Sequence, residues 1–125
     1  MSAQERHNRD TYLNVDERKV PITVTFYDAE GNPVDLSDPD WTVKFIVWPS
    51  EAMAIINELM EIVADQVQYT GQARYITEEA DHGHPVGEYR WKAQAEHSDG
   101  RIFEVPKQRS GNFGRLFLRA TNPSA

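Results

Sequence analysis

The residues best suited to chemistry sit in one short run, Asp81-His82-Gly83-His84, which places two imidazoles and a carboxylate in a single loop. Histidines two apart can share a metal ion only through unusual loop geometry, and no third strong ligand stands beside them. The run therefore reads as a solvated turn ahead of Pro85. His97, beside Ser98-Asp99-Gly100, reads as a surface residue of another turn. Asp35, Asp38 and Asp40 offer oxygen ligands for calcium, but their spacing departs from an EF-hand loop and suits a turn as well. Serine, histidine and aspartate are all present, yet no serine stands in a G-x-S-x-G setting, and a small sandwich offers no deep cleft. Gly111-Asn112-Phe113-Gly114 has two glycines but no helix start after it, so it is not a phosphate cradle. With no cysteine, disulfides, thiolate zinc sites and a thiol nucleophile are excluded. The expectation is a chain with no catalytic residue, no metal site and no cofactor.

The elements that would position any site follow from the patterning. In GEYRWKAQAEHSDGRIFEVP, Tyr89, Trp91, Ala93 and Ala95 fall on one face of a strand, and Glu88, Arg90, Lys92, Gln94 and Glu96 on the other. A two-residue loop at Asp99-Gly100 would set Ala95 opposite Glu104 and mix the faces. A three-residue loop, Ser98 to Gly100, pairs Ala95 with Phe103 and Ala93 with Val105 and keeps one face apolar. PITVTFYD is a strand with Ile22, Val24 and Phe26 inward, followed by turn chemistry around Gly31-Asn32-Pro33. WTVKFIVWP is a strand with Trp41, Val43, Phe45 and Val47 inward, stopped by Pro49; Ile46 and Trp48 break its polar face. Between Ala52 and Val63 the apolar residues follow helical spacing, with Ser50 able to cap, so one short helix is expected there. QVQYTGQARYIT reads as two short strands around Gly71. RLFLRA is a last strand, with Leu116 and Leu118 on one face and Arg115, Phe117 and Arg119 on the other.

The predicted core thus comprises Ile22, Val24 and Phe26; Trp41, Val43 and Phe45; Tyr89 and Trp91; Phe103 and Val105; and Leu116 and Leu118. About seven strands with turn signals between them predict an all-β fold, an antiparallel immunoglobulin-like β-sandwich over residues 20–120. Residues 1–19 read as a polar N-terminal arm and 121–125 as a tail. The arm cannot offset its own ordering entropy, but Tyr12, Leu13 and Val15 form a short strand-like beat that could add to the sheet edge of a neighbouring molecule.

The net charge of −7 is unevenly spread. Twelve acids and two bases lie between Asp28 and Asp81, whereas four acids and seven bases lie from Glu88 onward. Such a distribution gives either two solvated surfaces or a polar molecule suited to head-to-tail contact with its own copies. Overall acidity works against nucleic-acid phosphates. MSAQERHNRD lacks the apolar run of a signal peptide and no stretch approaches ~18 apolar residues, so a soluble chain made in a host cytoplasm is expected, with no membrane partner.

From Ile22 to Leu118 the order of features resembles the immunoglobulin-like N-terminal domain of phage upper-baseplate proteins and related small tail-module proteins. ITVTFYDAEGNPVDL, WTVKFIVWP, VQYTGQARYIT, PVGEYRWKAQAEHSDGRIFEVP and FGRLFLRA carry the resemblance. It implies a structural part of a virion, in the tail, baseplate or neck, with other virion proteins and its own copies as partners, and it transfers no catalytic residue. Two alternatives stand beside it: a capsid decoration protein, and a carbohydrate-binding sandwich in which exposed aromatics such as Trp48 stack on surface glycans.

Overall fold

The computed structural model describes residues 10–15, 17–49, 53–106 and 114–119. Among the described residues nine strands form two sheets. The large sheet holds β1 (Asp10–Asn14), β3 (Trp41–Trp48), β4 (Ile56–Leu59), β7 (Gly87–His97), β8 (Ile102–Val105) and β9 (Gly114–Arg119). Its order is β1-β9-β7-β3-β4, with β8 also beside β7. The small sheet holds β2 (Pro21–Thr25), β5 (Glu61–Ile62) and β6 (Gln72–Ile76), in the order β2-β6-β5. β7 is the spine. β3 pairs with it from Arg90 to His97, and on its other side β9 takes Gly87 to Trp91 and β8 takes Ala93 to Glu96. The Phe45 ring of the large sheet stacks on Tyr75 of the small one, 5.1 Å between centroids, so the two layers face each other across a shared core. This is an all-β sandwich.

The long hairpin takes the register that keeps one face apolar: Ala93 pairs with Val105 and Ala95 with Phe103. Its loop is closed by the His97 and Gly100 amides, which donate to the Arg101 and His97 carbonyls, and Gly100 has φ +102°. The core contains Ile22, Val24, Phe26, Trp41, Val43 and Phe45 from the first strands. From the later ones it takes Tyr89, Trp91, Val105, Leu116 and Leu118, with Phe103 half-buried at its margin. Leu13, Leu36, Val47, Ile56 and Met60 complete it.

Three expectations are corrected. First, the segment read as a helix is extended. Ile56–Leu59 pairs with the open edge of β3, the Met60 amide donates to the Val43 carbonyl, and the chain then crosses to β6 as Glu61–Ile62. A helix would bury Leu59 with Ile56 and Met60, but Leu59 is 67% exposed. Backbone groups waiting on two sheet edges outweigh a propensity difference of a few tenths of a kcal/mol per residue. Residues 50–52, including the expected cap, lie outside the described residues. Second, only one strand forms around Gly71, because residues 64–71 are turns; Tyr75 is buried while Tyr69 is 41% exposed.

The third correction concerns the N-terminal arm. Residues 10–14 are β1, running parallel to β9, with Leu13 paired to Leu118 and only 1% exposed. The Val15 amide extends the pairing to the Arg119 carbonyl. Strand addition does occur, but on this chain's own sheet. Residues 1–9 of that arm and the expected tail, 121–125, lie outside the described residues.

The loops at the start of β3 and β6 close around one buried amide. Gln66 Oε1 accepts from the Leu36 and Gly71 amides at 3.0 and 2.9 Å, and its Nε2 donates to the Val63 and Gln72 carbonyls at 2.7 and 3.2 Å. Gly71 has φ +83°, and a Cβ there would stand 2.7 Å from the Phe26 carbonyl oxygen. Backbone cannot yield as a side-chain tip can. Gly71→Ala is therefore expected to cost at least about 1–3 kcal/mol, the range for one strained backbone position. A thermal melt equal to wild type would show that this crossing is not tight.

Candidate functional site

Folding gathers part of the acid-rich stretch of the sequence at one end of the sandwich. The loop from Tyr27 to Asp40, the turns of residues 63–71 and the 98–100 turn all lie at one end of the sandwich, because β2, β5 and β7 finish there and β3, β6 and β8 begin there. That end carries Asp28, Glu30, Asp35, Asp38 and Asp40 from one loop, and Asp65 and Asp99 from its neighbours. The base among them is Arg101, whose Nε is 2.9 Å from Asp99 Oδ2. Exposed apolar side chains stand among the acids: Val67 at 95%, Tyr69 at 41% and Tyr27 at 40%.

The outward face of the large sheet is of mixed charge and partly aromatic. The alternation that sends Leu116 and Leu118 inward sends Arg115, Phe117 and Arg119 outward. Arg115 stands opposite Arg90, and Trp48 follows Arg90 in the same row. Tyr12 of β1 pairs with Phe117, and the two rings stack at 5.1 Å with 13° between their planes. Guanidinium groups lie over both: Arg119 is 4.8 Å from the Tyr12 centroid and Arg115 is 5.5 Å from that of Phe117. Rings face to face at about one strand spacing present their edges outward, leaving no flat platform. Lys92 lies on the same face, 3.1 Å from Glu104 Oε2. Glu88 stands opposite Phe117, Asp10 takes the register position opposite Arg115, and Glu96 shares the face, so the arginines stand among acidic residues around an aromatic centre.

The two histidines read as turn residues are buried instead. His82, 1% exposed, lies in a 3₁₀ turn, Glu79–Gly83. Its Nδ1 lies 2.7 Å from the Asn14 carbonyl, which can only accept, so the ring proton is on Nδ1. Its Nε2 accepts from the Thr77 hydroxyl at 2.8 Å, and that hydroxyl accepts from the Val20 amide at 2.9 Å. Nδ1 thus holds β1 to the turn while Nε2 holds the turn to Thr77, so both ring nitrogens are engaged within the protein. His97 is 7% exposed because it continues the inward parity of Ala93 and Ala95. That parity was legible; only its place beside a turn suggested the surface.

His97 organises the acidic end. Its Nε2 is 3.0 Å from Asp38 Oδ2, the Asp99 amide donates to Nδ1 at 3.1 Å, and the ring meets Trp41 edge-on at 4.9 Å. Arg101 covers the Trp41 ring at 5.1 Å. Asp38, Asp40 and His97 bring one ligand atom each within 4.8 Å of one another, while Asp35 caps the Ser37 amide instead. As a cation site this set is poorly posed: in the neutral ring whose Nδ1 accepts the Asp99 amide, Nε2 carries the proton given to Asp38, and in the charged ring Nδ1 can instead donate to Asp99 Oδ1, 3.1 Å away. The geometry is a hydrogen-bonded clasp joining the loop to the hairpin turn.

The clasp predicts a pH dependence. The Asp38 hydrogen bond, aided by the Asp99 charge, raises His97 above its ordinary 6.5, against burial and the Arg101 charge. The Asp40 amide and His97 hold Asp38 below its ordinary 3.8, and the Arg101 amide does the same for Asp99. A raised histidine contributes stability that is fully present below about pH 6.5 and is lost as pH rises through the folded value. The lowered carboxylates contribute above about pH 3.8 and lose that as pH falls through their folded values. The clasp is therefore complete between the two ranges. Melting temperature is expected to decline above about pH 6.5 in wild type and to decline less in His97→Gln. Equal slopes would locate the titration elsewhere.

Compared with known proteins, the chain matches no family model and no curated sequence.

Proposed function

We propose that this chain is a non-enzymatic structural protein of a bacteriophage virion, held in the tail, baseplate or neck through contacts with other virion proteins and with its own copies. The observation that carries the reading is the acid-lined end of the sandwich, where Val67, Tyr69 and Tyr27 are exposed beside carboxylates, an apolar surface with a polar rim suited to contact with another protein. The phage assignment rests on the resemblance of the order of its sequence features, from Ile22 to Leu118, to small tail-module proteins, and capsid decoration is the same reading at another station. The carbohydrate-binding alternative needs flat, open aromatic faces. Trp41 and Trp91 lie in the core, and the exposed Tyr12 ring is engaged by Phe117 and Arg119.

The test is the mass-spectrometric protein inventory of purified particles from the genome that encodes the chain. It is expected there in fixed ratio to the other structural proteins. A chain missing from particles, or a soluble protein retained by immobilised glycans, would overturn the reading.

A further inference from the structure

We infer that β1 is an exchangeable strand: at high concentration two copies of this chain trade it, each laying residues 10–15 along the β9 edge of the other. The step rests on the self-contact in the assembly reading above. β1 is the outermost strand of its sheet, and its seat is built from residues far along the chain. Its backbone pairs with β9, Tyr12 stacks on Phe117, Leu13 is buried opposite Leu118, and the Asn14 carbonyl accepts from His82 Nδ1. None of these partners moves with β1 when it swings away, so a second copy offers the identical seat.

The seat also decides the occupant. An emptied β9 edge uncovers Leu116 and Leu118 beside unpaired backbone groups, and it leaves the His82 Nδ1 proton without its acceptor. A strand that repairs all of this must carry an inward leucine and, one residue later, a carbonyl at the position His82 reaches. β1 of another copy meets both requirements by identity.

The hinge gives the closed form a reason to open. A turn brings the chain round after β1, with the Glu17 amide donating to the Asn14 carbonyl at 3.0 Å and the Asn14 amide to Glu17 Oε1 at 2.9 Å. Thr77 fixes the far side, where its carbonyl accepts from the Lys19 amide and its hydroxyl from the Val20 amide, each at 2.9 Å. Between these anchors Lys19 takes φ +60°, in the left-handed region that disfavours a side chain. A short hinge under strain favours exchange, because extending it relieves the strain while every strand contact is kept. Five residues, Val15 to Lys19, span at most about 17 Å when extended. The two β9 edges therefore lie side by side, in a reciprocal two-fold dimer.

The chain has no cysteine, so introduced thiols report the exchange without background. Tyr12 and Phe117 are register partners on the outward face, and strands about 4.8 Å apart lie within the disulfide range of about 4.4–6.8 Å. Full-length Tyr12→Cys and Phe117→Cys chains are mixed at high concentration, warmed to just below melting so that β1 opens, cooled and oxidised. The expected product is a covalent dimer joined 12 to 117 in preference to 12–12 and 117–117 links, and it disappears when the mixture is warmed at low concentration. The hinge is read in otherwise unaltered chains with Lys19→Gly and Lys19→Val, at an exposed position where both remove the same ion pair with Glu78. The valine variant should dimerise at least about tenfold more strongly, since a β-branched residue tolerates the left-handed region least. Links in random proportion, or none, would mean that β1 stays with its own chain and would overturn the inference. A dimer lacking the 12–117 link would overturn it by placing the self-contact on another surface. Equal dimerisation of the glycine and valine variants would do the same, since the hinge would then give no reason to open. Particle composition tests the assembly reading separately: a chain absent from particles can still exchange β1, and one present in them can keep it closed.

Discussion

Trp91→Ala is expected to lower stability by about 3–5 kcal/mol, the range for deleting a large core aromatic, and the melting temperature by on the order of 10 °C or more. The indole is 1% exposed at the middle of β7. It stands between Val47 of β3 and Gly114 of β9, so no side chain flanks it on the β9 side and the sheets close on it instead. Phe45 lies 5.8 Å away and itself stacks on Tyr75 of the small sheet. Removing Trp91 therefore empties the space beside an aromatic pair that joins the layers. Relaxation can fill little of that space, because β7 is fixed along both edges by β3, β8 and β9. Trp91→Phe, which keeps part of the volume, should lose visibly less. An alanine variant melting within a few degrees of wild type would put the indole at the surface, and the sugar-binding alternative would regain its best residue.

The inward alternation of β2, β3, β7 and β9 is visible in residue order alone, since a strand with one wet face must repeat every second residue. The hairpin register was decidable because only one loop length sorts Ala95 and Phe103 from Glu96 and Glu104. The segment after Pro49 was not decidable, since Ile55, Ile56, Leu59 and Met60 satisfy a helical stripe and only the vacant edge of β3 makes them extended. The buried histidines were hidden for a different reason. Thr77 and Asn14 are far from one another in sequence, so the bonds that make His82 a core residue cannot be counted before the fold is known. The outward aromatic pair was half legible. Phe117 between Arg115 and Arg119 marks an outward ring, but its partner Tyr12 is supplied by a strand more than one hundred residues earlier.

That early strand gives the second large effect: a protein lacking residues 1–15 is expected to lose a substantial share of its folding stability. In isolation the segment buries too little apolar surface to order itself, and sequence alone does not say whose sheet edge it joins. Joined to β9 of its own chain, it puts Leu13 beside Leu116 and Leu118 at 1% exposure. Truncating that one leucine to alanine should cost about 2–5 kcal/mol, against about 5–15 kcal/mol for a typical domain. Deletion removes more. The pairing from Asp10 to Asn14 is lost, the Arg119 carbonyl loses the Val15 amide, and His82 Nδ1, deep in the protein, loses the Asn14 carbonyl. A buried donor left without its acceptor costs about 1–3 kcal/mol by itself. The truncated chain should therefore melt far below wild type or fail to fold, and in the intact protein the amides of Thr11, Leu13 and Val15, the parity that faces β9, should resist exchange. The opposite result, unprotected amides with an unchanged melting temperature after deletion, would mean that β1 is not held by its own chain. In that case the edge of β9 would stand open to the strand of a neighbouring subunit.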